Sequence, residues 1–385
     1  MASIDSGRSE CLNVVQICHD YEGPFQSVCQ QYSSALSDCH VTTLFLRGKP
    51  DPGVKKRTGG DEVVFLDQGD GALSGIKWTT IYQVYKLFKQ SSFDLAIAHR
   101  YKSIYLAGLM SYFFPLKLVL GVAHEHKVFR RITRSLFVTF WRKRIVILGV
   151  SDSVTRDIDA SCSGLKAQGR LYTLNNCIDF SKKAEFLSSA ESRKALGVSS
   201  EALLLGTVGR LVAKKNHALL IQGFARAELP ESARLLLIGS GPEENNLKEL
   251  AVDLEIEDRV IFTGHIPEAF RYLRALDIFV FSSGDAEAFG VVLLEAMLAE
   301  IPIISSNAKG PAEVIKDTGW LFDLSRVEDL AKTLSCVTSL SEADRKTRTA
   351  AAIVRLESEY STTRFRQNLW SIKQMVELKL HSPAP

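Results

Sequence analysis

Short runs of Val, Ile and Leu recur along this chain, separated by polar or amphipathic stretches of helical period. In the first half they fall at 12–18, 41–46, 63–67, 95–98, 118–123, 145–150 and 171–174. Runs this short and this uniformly apolar suit strands buried on both faces, as in a parallel sheet. The stretches near 27–36, 80–90, 101–114, 127–144 and 152–160 read as helices between most of them. Strands alternating with helices predict right-handed crossovers and a doubly wound sheet.

A polar interval at 181–200 interrupts the rhythm, and a second alternation follows. Its apolar runs fall at 203–208, 235–238, 260–263, 278–281 and 301–305, each followed by a helical stretch. The tail from 341 to 380 reads as helix, broken near Tyr360 and Ser361. The pattern predicts an α/β protein of two Rossmann-like, doubly wound parallel-sheet domains facing across a cleft. The expected domains are 1–180 and 181–361, with a terminal helix at about 362–381 packing back onto the first. Ligands of such sheets bind at the carboxyl ends of the strands.

Composition narrows the class. The 385 residues exceed one ordinary core, so two domains are the prior. A hydrophobic fraction of 46% and a charged fraction of 24% fit a globular protein in water. Residues 103–123 are nearly long and apolar enough to span a bilayer, but Pro115 and Lys117 interrupt them. A core helix followed by a strand is expected there. The first ten residues are polar and include two acids, unlike a cleavable leader. Seven cysteines without C-x-x-C spacing suggest reduced thiols, and hence a cytoplasmic protein.

The net charge of +3 hides an asymmetry. Residues 1–180 hold 22 basic and 16 acidic side chains (22 − 16 = +6), and the remainder hold 25 and 28 (25 − 28 = −3). Much of the excess lies in Lys127, Arg130, Arg131, Arg134, Arg142, Lys143 and Arg144, interleaved with apolar Phe129, Ile132, Leu136, Phe137 and Trp141. A basic amphipathic helix over 127–144 would suit the anionic inner face of a plasma membrane; the same pattern also describes a solvated helix with its apolar side in the core. Nucleic acid is not expected, because no recognised binding motif accompanies the patch.

Candidate chemistry concentrates in the second half. The stretch Glu287-Ala-Phe-Gly-Val-Val-Leu-Leu-Glu295 follows the strand at 278–281, so Glu287 lies in a loop and Glu295 in the first turns of a helix. Free amides and the positive dipole end at that helix start favour an anion, while two carboxylates can accept from hydroxyls. A sugar nucleotide meets both requirements. Arg210 and Lys215 follow the first strand of this half, where a forked guanidinium and a compact ammonium suit a diphosphate. The turn Ile238-Gly239-Ser-Gly241-Pro242 either admits a ligand backbone or is only tight.

These elements in this order resemble the retaining GT-B glycosyltransferases of the large family that includes bacterial lipopolysaccharide, mannosyl and glucosyl transferases. The resemblance rests on Gly209-Arg210-Leu211 with Lys215, Ile238-Gly239-Ser-Gly241-Pro242, Phe262-Thr-Gly264, the Glu287–Glu295 stretch and Lys309-Gly310-Pro-Ala-Glu313. It implies that Arg210 and Lys215 bind the donor diphosphate, Glu295 the nucleotide ribose and Glu287 the donor sugar. The backbone at Phe289, Gly290 and Val291 would touch sugar or phosphate, and His265 and Ile266 would border the base.

The first half departs more from that family. Gly23-Pro24-Phe25 takes the place of its glycine-rich loop, leaving Gly23 as the donor contact. Asn176-Cys177-Ile178-Asp179 resembles its Asn-Gly-Val-Asp linker with Cys for Gly, and Ser282-Ser283 replaces Pro-Ser. In His124-Glu125-His126, His124 aligns with a family histidine near the anomeric centre, with His126 as competitor. No metal is expected, because Asp157-Ile-Asp159, the chain's Asp-x-Asp triplet, falls within a helix and would point its carboxylates apart.

The resemblance implies transfer of a sugar from a nucleotide diphosphate sugar to an acceptor hydroxyl with retention, Glu287 and His124 acting at the sugar. UDP is preferred over GDP as carrier, and no cofactor is required. The acceptor expected is a lipopolysaccharide-core, lipid-linked or other membrane-associated glycan. A nucleotide-sugar epimerase and a non-catalytic sugar-nucleotide-binding protein are the alternatives.

Overall fold

The computed structural model describes residues 12–22, 25–69, 78–140 and 145–380. Two compact units divide the chain. The first comprises 1–150, 154–174 and 366–385, and the second 151–153 and 175–365.

The first unit is built on a seven-stranded parallel sheet, formed by β1 Asn13–Cys18, β2 His40–Phe45, β3 Glu62–Phe65, β4 Leu95–His99, β5 Leu118–Ala123, β6 Ile145–Gly149 and β7 Leu171–Thr173. Their order is β3-β2-β1-β4-β5-β6-β7. Every residue of β4, β5 and β6 is buried, which is why these strands read as unbroken apolar runs. Because β2 and β4 lie on opposite sides of β1, the chain reverses direction between β1 and β4. Such a switch point leaves a crevice at the strands' carboxyl ends.

The second unit carries a six-stranded parallel sheet: β8 Leu204–Val208, β9 Arg234–Ile238, β10 Val260–Phe262, β11 Ile278–Phe281, β12 Ile303–Ser306 and β13 Trp320–Phe322. The order β10-β9-β8-β11-β12-β13 places its switch point between β8 and β11. Leu205, Leu235, Leu237, Val280 and Ile304 from the strands meet Leu220, Phe224 and Leu330 from the helices in one buried cluster. The three-residue β13 and the helices Ser189–Ala195 and Val327–Ser339 exceed the sequence expectation. A three-residue strand is too short to show a period.

The expected break in the tail separates the helices Glu342–Tyr360 and Thr362–Leu380. From Arg366 the chain joins the first unit. There Arg366 binds Ser37 and Asp38, and Trp370 Nε1 donates to the carbonyl of Ala35 at 3.2 Å.

The basic helix expected over 127–144 is shorter. Its described part is Ile132–Phe140, and residues 141–144 lie outside the described chain. Lys127 adopts φ 64°, a left-handed conformation incompatible with a continuing right-handed helix. Its amide donates instead to Asp157 Oδ2 at 2.6 Å. Asp157 lies on the helix Asp152–Ser161 and also faces Arg130 at 3.5 Å. Phe137 and Val138 join the core, whereas Ile132 and Leu136 stay 76% and 62% exposed.

Candidate active site

In the second unit the groups assigned to a diphosphate and a sugar meet at the β8/β11 switch point. Beyond β8 the chain runs through Gly209 and exposed Arg210 into one 3-10 turn, Ala213–Lys215. Asn216 at φ 54° then redirects it into the helix His217–Arg226. Lys215 Nζ donates to Glu287 Oε2 at 2.6 Å, both side chains being 19% exposed. The ammonium also lies 5.1 Å from the centre of the Phe281 ring.

Backbone bonds hold this pair in place. Gly284 N–H donates to the Lys214 carbonyl at 3.0 Å, and Ser282 Oγ to the Lys215 carbonyl at 2.9 Å. Ser306 Oγ likewise reaches the Ser283 carbonyl at 2.7 Å. Ser282, in the pair that departs from the family motif, thus ties the end of β11 to the loop after β8, while the Ser283 carbonyl is tied to the end of β12. Gly310 brings the helix Lys309–Ile315 against the same loop. A Cβ on it would fall 2.5 Å from the Ala288 carbonyl, so any side chain would force the loop away.

Phe289 is buried and meets Tyr360 edge to face at 5.7 Å. Gly290, at φ 88°, starts the helix Val291–Leu298, and no side chain caps that end. First-turn amides are therefore available to an anion. Glu295 is half-buried on this helix; burial raises its carboxyl pKa, and Lys182 partly offsets the shift. His217, two residues after Lys215, is driven down to about 4 by burial and then by Lys215.

The turn at Gly239 proves tight and occupied by the chain itself. A Cβ on Gly239 would lie 1.9 Å from the Gly209 carbonyl oxygen, and Gly239 N–H donates to the Gly264 carbonyl at 2.9 Å. These bonds lace the ends of β8, β9 and β10, leaving His265 exposed and Ile266 half-buried one step beyond. Neither makes a hydrogen bond or ion pair with Lys215, Glu287 or Glu295. Arg210 makes no ion pair among the described residues.

In the first unit, Gly23 lies outside the described residues. His124 follows β5, and its Nε2 is 3.0 Å from Nδ1 of His99, the last residue of β4. Nε2 of His99 is 3.0 Å from Gln16 Oε1 on β1. Gln16 Nε2 in turn lies 3.2 Å from the Cys29 carbonyl oxygen. A carbonyl can only accept, so the amide nitrogen of Gln16 must face it and Oε1 must face His99. Burial and then His124 hold His99 well below the usual imidazole range, so it is neutral, with its proton on Nε2. Its bare Nδ1 must accept from His124. Burial and then Arg100 take His124 down to about 3. His124 is therefore a neutral ring with its proton on Nε2 and a lone pair on Nδ1.

Phe25 meets His124 edge to face at 5.3 Å and carries the Arg100 guanidinium 4.2 Å from its ring centre. His126 Nε2 is buried without a hydrogen-bond partner. Sequence reasoning missed His99 and Gln16. A histidine closing the strand run at 95–98, as His124 closes 118–123, was a visible signal. Their adjacency needed the register that pairs His99 with Val122.

Two parallel sheets with helices, each with a polar site at its switch point, define a GT-B protein. Residues 188–353 match the family described as Glycosyl transferases group 1. It is 31% identical over 189 residues to N-acetyl-alpha-D-glucosaminyl L-malate synthase of Bacillus anthracis, covering 48% of each chain. It is 33% identical over 165 residues to the lipopolysaccharide core biosynthesis glycosyltransferase LpsE of Rhizobium meliloti, covering 42% of this chain and 46% of that protein. The chain thus spans about half the length of the curated relatives it matches. The fold is shared with Anabaena Alr3699/HepE, solved in complex with UDP and glucose, at a TM-score of 0.77 and 16% identity, covering 94% of this chain and 100% of that one.

Proposed function

We propose that the protein is a retaining, metal-independent glycosyltransferase that moves a sugar from a nucleotide diphosphate sugar to an acceptor hydroxyl. The Lys215–Glu287 pair beside the uncapped helix start at Gly290 carries this reading, because it sets a cation for phosphate against a carboxylate for sugar hydroxyls. Arg210 and Lys215 stabilise the departing diphosphate, which takes the acceptor's proton as it leaves on the face the acceptor attacks. Catalysis is then electrostatic stabilisation and positioning, without a protein nucleophile. Glu295 accepts from the ribose hydroxyls, Glu287 holds the sugar, and the backbone at 289–291 lies against sugar or phosphate. His265 and Ile266 border the base, and Gly23 meets the donor phosphate. His124, an acceptor through Nδ1, takes a hydrogen bond from a substrate hydroxyl.

UDP is the preferred carrier, supported by the UDP and glucose bound to Anabaena HepE. The acceptor is a membrane-associated glycan of the lipopolysaccharide-core type, which the likeness to LpsE supports. The protein is assigned to the cytoplasmic face. No helix among the described residues is long and apolar enough to cross a membrane. Exposed Ile132 and Leu136 beside exposed Arg131 would meet an anionic surface instead.

The test is release of free nucleoside diphosphate from a panel of nucleotide sugars, with and without acceptor extracts. Acceptor-dependent release that Lys215→Ala removes supports transfer. Epimerised sugar nucleotide without release would establish the epimerase, and tight binding with neither reaction a binding protein.

A further inference from the structure

The first unit has a cavity of about 360 Å³ at the carboxyl ends of β1, β4 and β5, against the switch point between β1 and β4. His19, Arg100 and His124, each following one of these strands, line it. Lys102, Lys127 and Arg134 complete a rim of four permanent cations, opposed by one lining carboxylate, Glu125.

These cations are weakly committed. Lys102 and the Lys127 ammonium have no ion pair among the described residues. Arg134 binds the Val128 carbonyl at 3.0 Å and lies 4.6 Å from the Tyr101 ring centre, without a carboxylate. Arg100 faces Glu125 at 3.6 Å and Asp20 at 3.8 Å, both beyond hydrogen-bond distance. Its buried Nε has no partner, and neither has buried Nδ1 of His19. Counting Glu125 and Asp20 against four cations leaves a positive cavity with buried polar atoms unsatisfied. Unpaired buried polar atoms are costly, and an anion seated in this cavity would give the Arg100 Nε–H a partner.

We propose that this cavity binds an anionic group, a phosphate monoester or a carboxylate, carried by the acceptor. It deepens the glycosyltransferase reading and rests on it for the word acceptor. Arg100 and Lys102 receive the anion from the first turn of the helix Arg100–Phe113, with Lys127 and Arg134 lining the same cavity. His124, a lone-pair acceptor in the same lining, is left to take a hydroxyl rather than the anion. The ligand is thereby oriented, its charge toward the cations and a hydroxyl toward His124 Nδ1.

The test uses the full chain saturated with UDP, titrated with inorganic phosphate and separately with acetate at constant ionic strength, with melting temperature as readout. Saturable stabilisation by phosphate, by acetate or by both is expected, and it should weaken about ten-fold or more in Lys102→Gln/Lys127→Gln. Lys102→Arg/Lys127→Arg should retain the stabilisation seen in the parent, and UDP affinity should be unchanged in both. The proposal is overturned if neither anion stabilises the protein in a saturable way. It is overturned equally if the Gln variant binds as tightly as the parent, or if UDP and phosphate compete for one site. Failure of UDP itself to bind would count against the donor site in the second unit and leave the anion titration to decide the cavity.

Discussion

His124 donates through Nε2 to Nδ1 of His99 at 3.0 Å, and that single bond fixes what His124 can offer a substrate. The main-chain carbonyl of Cys29 orients Gln16, Gln16 sets the tautomer of His99, and His99 sets that of His124. Each link runs through a buried residue of the sheet, so the relay is rigid as well as directional. Replacing His99 with Phe should free His124 to take either tautomer. Transfer should drop by about ten-fold or more in kcat, the usual scale for a mis-set acid–base group, with little change in UDP affinity. Unchanged kcat in a folded His99→Phe protein would remove the relay from the mechanism.

Because His124 stays neutral down to about pH 3, it supplies no titration near neutrality. His124 should therefore contribute no imidazole inflection to the kcat/KM profile for donor between about pH 6 and 7, the range of an unperturbed histidine. An inflection there that disappears in His124→Asn would contradict the neutral-acceptor role.

Lys215 and Glu287 depend on each other for geometry as well as charge. Lys215→Ala and Glu287→Ala should each reduce transfer by about a hundred-fold or more, as loss of a preorganised electrostatic group does. The double variant should be only slightly worse than either single one, since both disrupt one unit. Fully multiplicative losses in a double-mutant cycle would mean that the two act independently.

Glu295 titrates above the ordinary glutamate range because burial disfavours its charge. If its carboxylate accepts from the ribose, UDP affinity should weaken as pH falls through that raised value, and Glu295→Gln should flatten the dependence. Calorimetric titration at several pH values checks this. A UDP affinity equally pH-dependent in both proteins would reassign the effect.

The depressed histidines make a stability prediction of definite sign. His124 at about 3 and His217 at about 4 bind fewer protons folded than unfolded, where the value is 6.5. Their contribution is fully present above pH 6.5 and is lost progressively as pH falls toward the folded values. Urea unfolding should therefore show stability declining between pH 7 and 5, with a shallower decline in His217→Gln. Peripheral binding is checked separately by sedimentation with anionic liposomes, which Ile132→Ser/Leu136→Ser should reduce.

Much of the architecture was legible in the chain. All seven strands of the first sheet and five of the six in the second announce themselves as apolar runs, because strands packed beneath helices carry mostly apolar side chains. Glu287, Gly290 and Glu295 could likewise be placed in a loop and a helix from local pattern. The basic helix could not be bounded, since a left-handed Lys127 held by Asp157 ends the pattern through a partner thirty positions away. The first unit's cation-lined cavity went unread for the same reason. Its walls come from segments following three strands whose adjacency is not written in their order.

The sequence by itself determined two alternating strand–helix series and the identity of the charged groups in their loops, since burial and helical period act over a few neighbouring residues. Only the tertiary structure decided which of those groups meet. Strand order sets β8 beside β11 and β4 beside β5, and so brings Lys215 to Glu287 across 72 positions and His99 to His124 across 25. The protonation pattern of His124 followed from that contact, because a tautomer is fixed by the hydrogen-bond partner a ring finds in space.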